Sequence, residues 1–472
     1  MKKLLALVLV LVALSAAAFA EDEYLGLYMQ GNKIGYASYN SHPEILGEQT
    51  VTRSDSKTVI DAGLLGQSMK MTIDGTTWTS PQGRPLKMLF IQSSAGRTQK
   101  IVATFLAKTA EVDIDSEGHR THESLAIPTG GAVVDDPMEA VLGKSVPGQK
   151  TTIYVLDPTT VSFLKNEVML VGPRTVTVHN KAIDAELVQI IDPRMTFDVY
   201  VTRKGDLVKV DAPMGIEMLP ESREEALSSK GVEYKPAADL AFTSSIHPNG
   251  QISDPDALTG LTLRVTGHDL SSLPSDDHQT ITRDGSGWKV AVHPPQLKNE
   301  KPCAIDAAAK EKPEWLKPSL DIPSGDPAFT KLSESLVKGK PDVIQAALAI
   351  KRYVFQTMSP NAGIGVLRDA SEILRTKEGV CRDYAILTVT LMRAARIPAR
   401  LASGVVNWQG NFYYHAWAEV WDGSKWIGID STVPQEQISA AHVKLADGNV
   451  EGAFQFTFLD KVKIDVLGSK RS

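Results

Sequence analysis

An α+β fold is what this sequence predicts, with a large mostly-β N-terminal region ahead of a smaller region of helices followed by strands. Three observations carry that reading. From Tyr24 to about residue 295, short β-branched and aromatic runs alternate with Gly, Asn, Asp and Pro turn signals. Beyond residue 326 the apolar period lengthens to three or four, as in Val343, Ala347, Ile350 and Val354 after Pro341-Asp342. After Pro398 the pattern returns to strand, at Arg400 to Val406, Asn411 to Trp421 and Lys425 to Asp430.

A chain of 472 residues is too long for one ordinary core and predicts two to four domains. Hydrophobic content of 42% and charged content of 22% describe a folded protein, not a disordered one. The net charge is −6 and no basic run is present, which argues against nucleic acid as a partner. Residues 1–20 read as a secretory signal peptide: Lys2 and Lys3 precede an apolar run from Leu4 to Leu14, and Ala18-Phe19-Ala20 offers a cleavage site. The run is short for a membrane span, and no cysteine follows the cleavage site. An exported protein, most simply periplasmic, with no stable membrane insertion after cleavage is therefore expected. Two cysteines, Cys303 and Cys381, do not make a disulfide scaffold, and Cys303 within Lys301-Pro302-Cys303 reads as a bystander thiol.

In order along the chain, residues 21–147 form a first β-rich domain. Gly31-Asn32-Lys33 suggests a hairpin, and Asp74-Gly75 suggests another. His119 and His122 fall in what reads as a solvated loop, with no third ligand near. Residues 148–295 form a second β-rich region, of which 240–295 resembles a third segment. A weak internal echo links the two: Trp78, Gly83 and Leu86-Lys87-Met88 share their spacing with Tyr200, Gly205 and Val208-Lys209-Val210. Related β units and generic hairpin composition explain it equally well. The proline cluster of 296–326 reads as a linker, partly ordered at most. Residues 327–436 carry the helices and strands described above. There Ser371 to Thr376 is a short helix, and Cys381 to Ala395 is a longer one with Tyr384, Ala385, Thr388, Leu391, Met392 and Ala395 on one face. Residues 437–472 continue in strand-like runs around Ala453 to Leu459 and Val462 to Val466.

Chemistry concentrates in three places. Glu378-Gly379-Val380-Cys381 puts a thiol at the first turn of a helix, where free amide groups and the helix dipole favour a thiolate. Alternation along Phe412 to Val420 puts His415 on a polar-aromatic face with Tyr413, Trp417 and Glu419, opposite Tyr414, Ala416, Ala418 and Val420. Asp430 closes the following strand, where a hairpin can return it to His415. A thiol, an imidazole and a carboxylate supply a nucleophile, its base and the group that orients the base. Taken singly, each has a plainer reading: a small core cysteine, a structural histidine, and a turn or cap aspartate before Ser431-Thr432.

Residues 369–432 resemble the transglutaminase-like superfamily, papain-like cysteine-protease relatives. The resemblance rests on Glu378 through Ala385, Arg396-Ile397-Pro398-Ala399-Arg400, His415 through Val420, and Trp426 through Thr432. It implies a transglutaminase-like C-terminal domain with Cys381 as nucleophile, His415 as base and Asp430 as orienting acid. No side-chain oxyanion donor matches; Gln356 is the nearest upstream candidate and reads as a solvated helix residue. No Gly-rich phosphate loop and no Asp-x-Asp-x-Asp-Gly calcium loop occur, so no cofactor and no metal are expected. The expected function is an exported thiol acyl-transfer enzyme, a protease, amidase or transglutaminase type, acting on peptide or protein substrates. The alternative is a catalytically idle scaffold whose β-rich region binds a protein or cell-envelope partner. Oligomeric state is not legible.

Overall fold

A computed structural model of the chain describes residues 22–64, 67–140, 146–192, 195–228, 245–297, 302–364, 367–450 and 461–471. The expected signal peptide and the expected strand at Ala453 to Leu459 lie outside the described residues. The chain divides into two compact units, the first holding residues up to Thr243 together with Gly363–Val366 and the second holding Ser244–Ala362 and the residues from Leu367 onward.

The N-terminal unit is one sheet of 15 strands among the described residues. Sequence neighbours pair antiparallel, with one parallel pair at Ala132–Val133 and Lys150–Asp157. Its first strand, Glu23–Met29, pairs with its last, Ile216–Glu221. Strict alternation buries one face: Met195, Phe197, Val199 and Val201 are inside while the residues between them are not. Each such side chain contributes roughly 1.5–3 kcal/mol by leaving water.

The hairpin expected near Gly31 forms. Gln30 and Gly31 take the two left-handed positions, at φ 48° and 76°, between the paired Met29 and Asn32. The second expected hairpin does not form. Gln67–Thr79 is one continuous strand, in which Gly75 pairs with Ser56 on one side and Phe90 on the other. Two complete ladders outweigh the turn preference of Asp-Gly, and Asp74 accepts from Lys57 Nζ at 2.8 Å instead. The expected loop at His119 and His122 is also a strand, His119–Ala126, because the turn sits earlier, at Glu117-Gly118 with φ 55° and 87°. His122 faces two acids of the neighbouring strand, Asp113 at 2.8 Å and Glu111 at 3.1 Å.

The internal echo is a structural one. Ser80 N–H donates to Arg84 O at 2.8 Å and Gly83 N–H to Ser80 O at 2.9 Å; Thr202 with Asp206, and Gly205 with Thr202, repeat both distances. Each turn is preceded by a register shift at the same place, Trp78/Thr79 and Tyr200/Val201. The hydroxyls of Ser80 and Thr202 each accept from two amides of their own turn.

The C-terminal unit contains two four-stranded sheets. One orders Gln279–Asp284, Gly287–Val292, Leu258–Thr266 and Lys463–Arg471. The strands expected to continue the N-terminal region thus pair with the C-terminal tail, through Leu263↔Val466 among others. The other orders Trp426–Ile429, Asn411–Trp421, Ala399–Trp408 and His442–Gly448, all antiparallel. Leu261, Leu263, Val290 and Val292 of the first sheet share a core with Val405, Phe412, Val443 and Leu445 of the second.

On its other face the second sheet carries the helix Cys381–Ala394, flanked by Pro327–Val337, Val343–Thr357 and Ala370–Thr376. Every residue from Arg382 to Arg393 is buried, not one face alone as the periodicity suggested. A helix covered on all sides reads as apolar or internally satisfied all round; here Thr388 and Thr390 donate back to the carbonyls of Tyr384 and Ile386. Residues 302–326 differ from the linker expected. They form the helix Ile305–Glu311 and a turn at Pro313–Leu316, with Ala308 and Ile322 in the main core. Their prolines start and stop short elements, and Arg393 anchors them by donating to Lys317 O at 2.8 Å.

Candidate active site

Cys381 is the first residue of its helix, and the turn before it is clamped. Asp383 Oδ2 accepts from Val380 N–H at 2.9 Å. Arg368, whose side chain is fully buried, donates to Glu378 O at 2.6 Å and lies 3.2 Å from Asp383 Oδ2. Gly379 rests on this pair: a Cβ there would come within 2.5 Å of Asp383 Oδ2 and 2.8 Å of Arg368 Nη2. Glycine is needed here for close approach, and the result is a fixed direction for the thiol at a helix N-terminus.

His415 lies on the strand Asn411–Trp421, opposite Gly404 in register. Ala416, Ala418 and Val420 pack against the helix, as the alternation indicated. The polar-aromatic face is more deeply buried than a half-exposed wall would be: Trp417 is 1% and Glu419 0% exposed. Charge pairing makes that burial tolerable. Lys444 Nζ reaches Glu419 Oε1 at 2.8 Å and also bonds Asp276, while Arg400 binds the other Glu419 oxygen at 2.7 Å.

Asp430 follows Trp426–Ile429, and its two oxygens do different work. Oδ1 accepts from Thr432 N–H at 2.8 Å and Thr432 Oγ1 at 2.7 Å, the cap role expected from sequence. Oδ2 lies 2.8 Å from His415 Nε2. The segment after it is pinned by Thr388 Oγ1 to Ser431 Oγ at 2.7 Å and by the buried Lys351, which donates to Val433 O at 2.6 Å.

The Cys381 sulfur is near enough to act on the His415 ring. Burial alone would lower the His415 pKa. The Asp430 charge and hydrogen bond, followed by the bond and charge of Cys381, outweigh it and raise the value to about 10. For Asp430, burial pushes upward, but His415 and then His442 hold it well below the usual carboxylate range. Tyr414, next to His415 on its strand, is 38% exposed as a residue, yet desolvation of its hydroxyl and then the charge of the Cys381 sulfur raise its pKa. The structure therefore pairs His415 with Asp430, on a strand packed against the helix that begins at Cys381. Cys303 is apart from them, against Gly423, and both cysteines are free. Gln356 is exposed on Val343–Thr357.

His442 was not singled out from sequence. Its Nε2 lies 3.2 Å from the same Asp430 Oδ2, and its ring meets that of His415 edge to face at 5.7 Å between centroids. The strand Ala399–Trp408 lies between the two, with Gly404 opposite His415 and Val406 opposite His442. The available signal was the alternation His442, Val443, Lys444, Leu445, which puts both polar residues on one side of a strand. Among the described residues, His415, Asp430 and His442 are a group whose ligand atoms lie within 4.8 Å of one another.

Residues 330–431 match the family model described as the transglutaminase-like superfamily. This segment is a transglutaminase-like domain. Solved structures resemble the chain more distantly. A candidate cysteine protease from Cytophaga hutchinsonii is 18% identical over 46% of this chain and 86% of its own, with a TM-score of 0.31. A β-barrel-like protein of unknown function from Brucella abortus is 12% identical over 42% of this chain and 94% of its own, at 0.31. A candidate protease from Parabacteroides distasonis is 12% identical over 82% of this chain and 69% of its own, at 0.21. Likenesses this distant say nothing of residue roles or substrate. No curated protein matches the sequence. No helix among the described residues is long and apolar enough to cross a membrane.

Proposed function

We propose that this protein is an exported thiol-dependent acyl-transfer enzyme that acts on peptide or amide bonds. The observation that carries the reading is the His415–Asp430 pair, 2.8 Å between imidazole and carboxylate, on a strand packed against the helix that Cys381 begins. Because Nε2 of His415 is committed to Asp430, the nitrogen left for the thiol is Nδ1. The raised His415 pKa favours an imidazolium beside the sulfur, and so a thiolate ready to attack.

In this scheme the Cys381 thiolate attacks the substrate carbonyl carbon. The Cys381 amide at the helix start donates to the resulting oxyanion. Collapse expels the amine, which takes the Nδ1 proton of His415, and a thioester remains. Water or a second amine then gives its proton back to Nδ1 as it attacks the thioester, releasing acid or a new amide. Asp430 holds the ring and stabilises the imidazolium throughout. The periplasm as destination rests on the N-terminal pattern of Lys2, Lys3 and the apolar run after them.

Alkylation with iodoacetamide near neutral pH tests the reading. Cys381 should label rapidly, and His415→Ala should slow it by roughly 10²–10⁴-fold. Labelling of Cys381 no faster than of Cys303 would sink the proposal. A peptide library with and without added amines, followed by mass spectrometry, separates hydrolysis from amine transfer.

A further inference from the structure

We infer that the Asp430 end of this site binds a first-row divalent cation of the zinc class through His415 Nε2, Asp430 Oδ2 and His442 Nε2.

The first reason is convergence. Asp430 Oδ2 lies 2.8 Å from one imidazole nitrogen and 3.2 Å from the other. Ligands about 2.0–2.2 Å from a zinc ion sit little farther apart than this, so tenths of an ångström of widening admit the ion. The second reason is the supporting shell. A metal-binding histidine usually donates its other ring N–H to a carbonyl or carboxylate, and a ligating carboxylate is itself hydrogen-bonded. His442 Nδ1 faces Ser439 O at 3.2 Å, and Asp430 Oδ1 is held by Thr432. His278 further fixes His442 by a 2.7 Å bond to its carbonyl.

Imidazole with one carboxylate suits zinc and its neighbours better than magnesium or calcium.

Cys381 is not among the grouped ligand atoms.

Equilibrium dialysis of the chelator-stripped full chain against zinc chloride is the direct test. One equivalent should bind to the wild type and to Cys381→Ala alike. His442→Gln should weaken binding by at least tenfold. Cobalt(II) bound to the wild type, a measurement that needs no variant to fold, should show visible ligand-field bands without a thiolate charge-transfer band. No stoichiometric binding, or binding lost in Cys381→Ala with a thiolate band in the cobalt spectrum, overturns the site.

Discussion

The two units handle charge in opposite ways. In the N-terminal sheet, ion pairs such as Lys57–Asp74 and Lys150–Glu167 run along the outside, with side chains a third to a half exposed. Such pairs each contribute about 0–1 kcal/mol. In the C-terminal unit, Arg368, Asp383, Glu419 and Lys444 are 0–4% exposed or nearly so, and each is held by a charged partner and further hydrogen bonds. Buried pairs of this kind are weak arguments for stability, because desolvation offsets attraction. Their effect is geometric. One pair fixes the turn before Cys381, and the other lies beneath the strand that carries His415. A sheet needs only its ladders to hold shape, whereas a site must hold particular atoms in place.

Substitutions can break that contrast, and the largest effect is expected at the site. Asp430→Asn keeps the Thr432 cap but removes the charge that raises the His415 pKa. Turnover of a peptide substrate should fall by roughly 10³–10⁴-fold, with the Tm little changed. Loss of activity accompanied by unfolding would assign Asp430 to stability instead.

Next comes the buried network. Lys444→Met removes one of the two cations that hold the buried Glu419, leaving Arg400, and should cost about 3–5 kcal/mol in urea denaturation of the C-terminal unit. Adding Glu419→Leu should recover part of that loss, since the carboxylate left short of a partner is gone. Lys57→Ala in the N-terminal sheet should stay within about 1 kcal/mol of wild type. Equal costs for Lys444→Met and Lys57→Ala would erase the distinction drawn between the units.

A pH effect of intermediate size follows from His278, which burial holds down to about 4 from an ordinary 6.5. The unfolded chain therefore binds a proton that the folded chain refuses between pH 6.5 and 4. Stability should fall as pH drops through that window, by at most about 1.4 kcal/mol per pH unit from this group. Urea midpoints measured at pH 7 and 5 give the slope, and His278→Gln should flatten it. An unchanged slope in the variant would place the sensitivity elsewhere.

The smallest effects concern the repeated turn. Gly83 and Gly205 have φ of 76° and 95°, so alanine at either should cost about 1–2 kcal/mol. Matching costs in thermal melts would support equivalence of the two hairpins; a large disparity would mean that their surroundings differ.

Local chemistry was legible along much of the chain. Pro398 ending a helix, the Gln30-Gly31 turn and the alternation of Ala416, Ala418 and Val420 all depend on neighbours a few residues away. Misreadings arose where distant partners intervened. Asp74-Gly75 looks like a turn until two ladders claim it. The prolines of 302–326 look like a linker until Ala308 and Ile322 find a core. His119 and His122 shift from loop to strand once Glu117-Gly118 closes the hairpin.

The sequence by itself marked Cys381, His415 and Asp430, because a helix start, a strand and a strand end are written in short-range patterns. Only the tertiary structure decided that one oxygen of Asp430 faces both His415 and His442. That contact spans separate strands of a sheet and depends on their register, with Gly404 opposite His415 and Val406 opposite His442. Periodicity tells which side of a strand a residue occupies, but a neighbour two strands away is set by how the ladders align, and a slip of one residue would turn His442 to the opposite face.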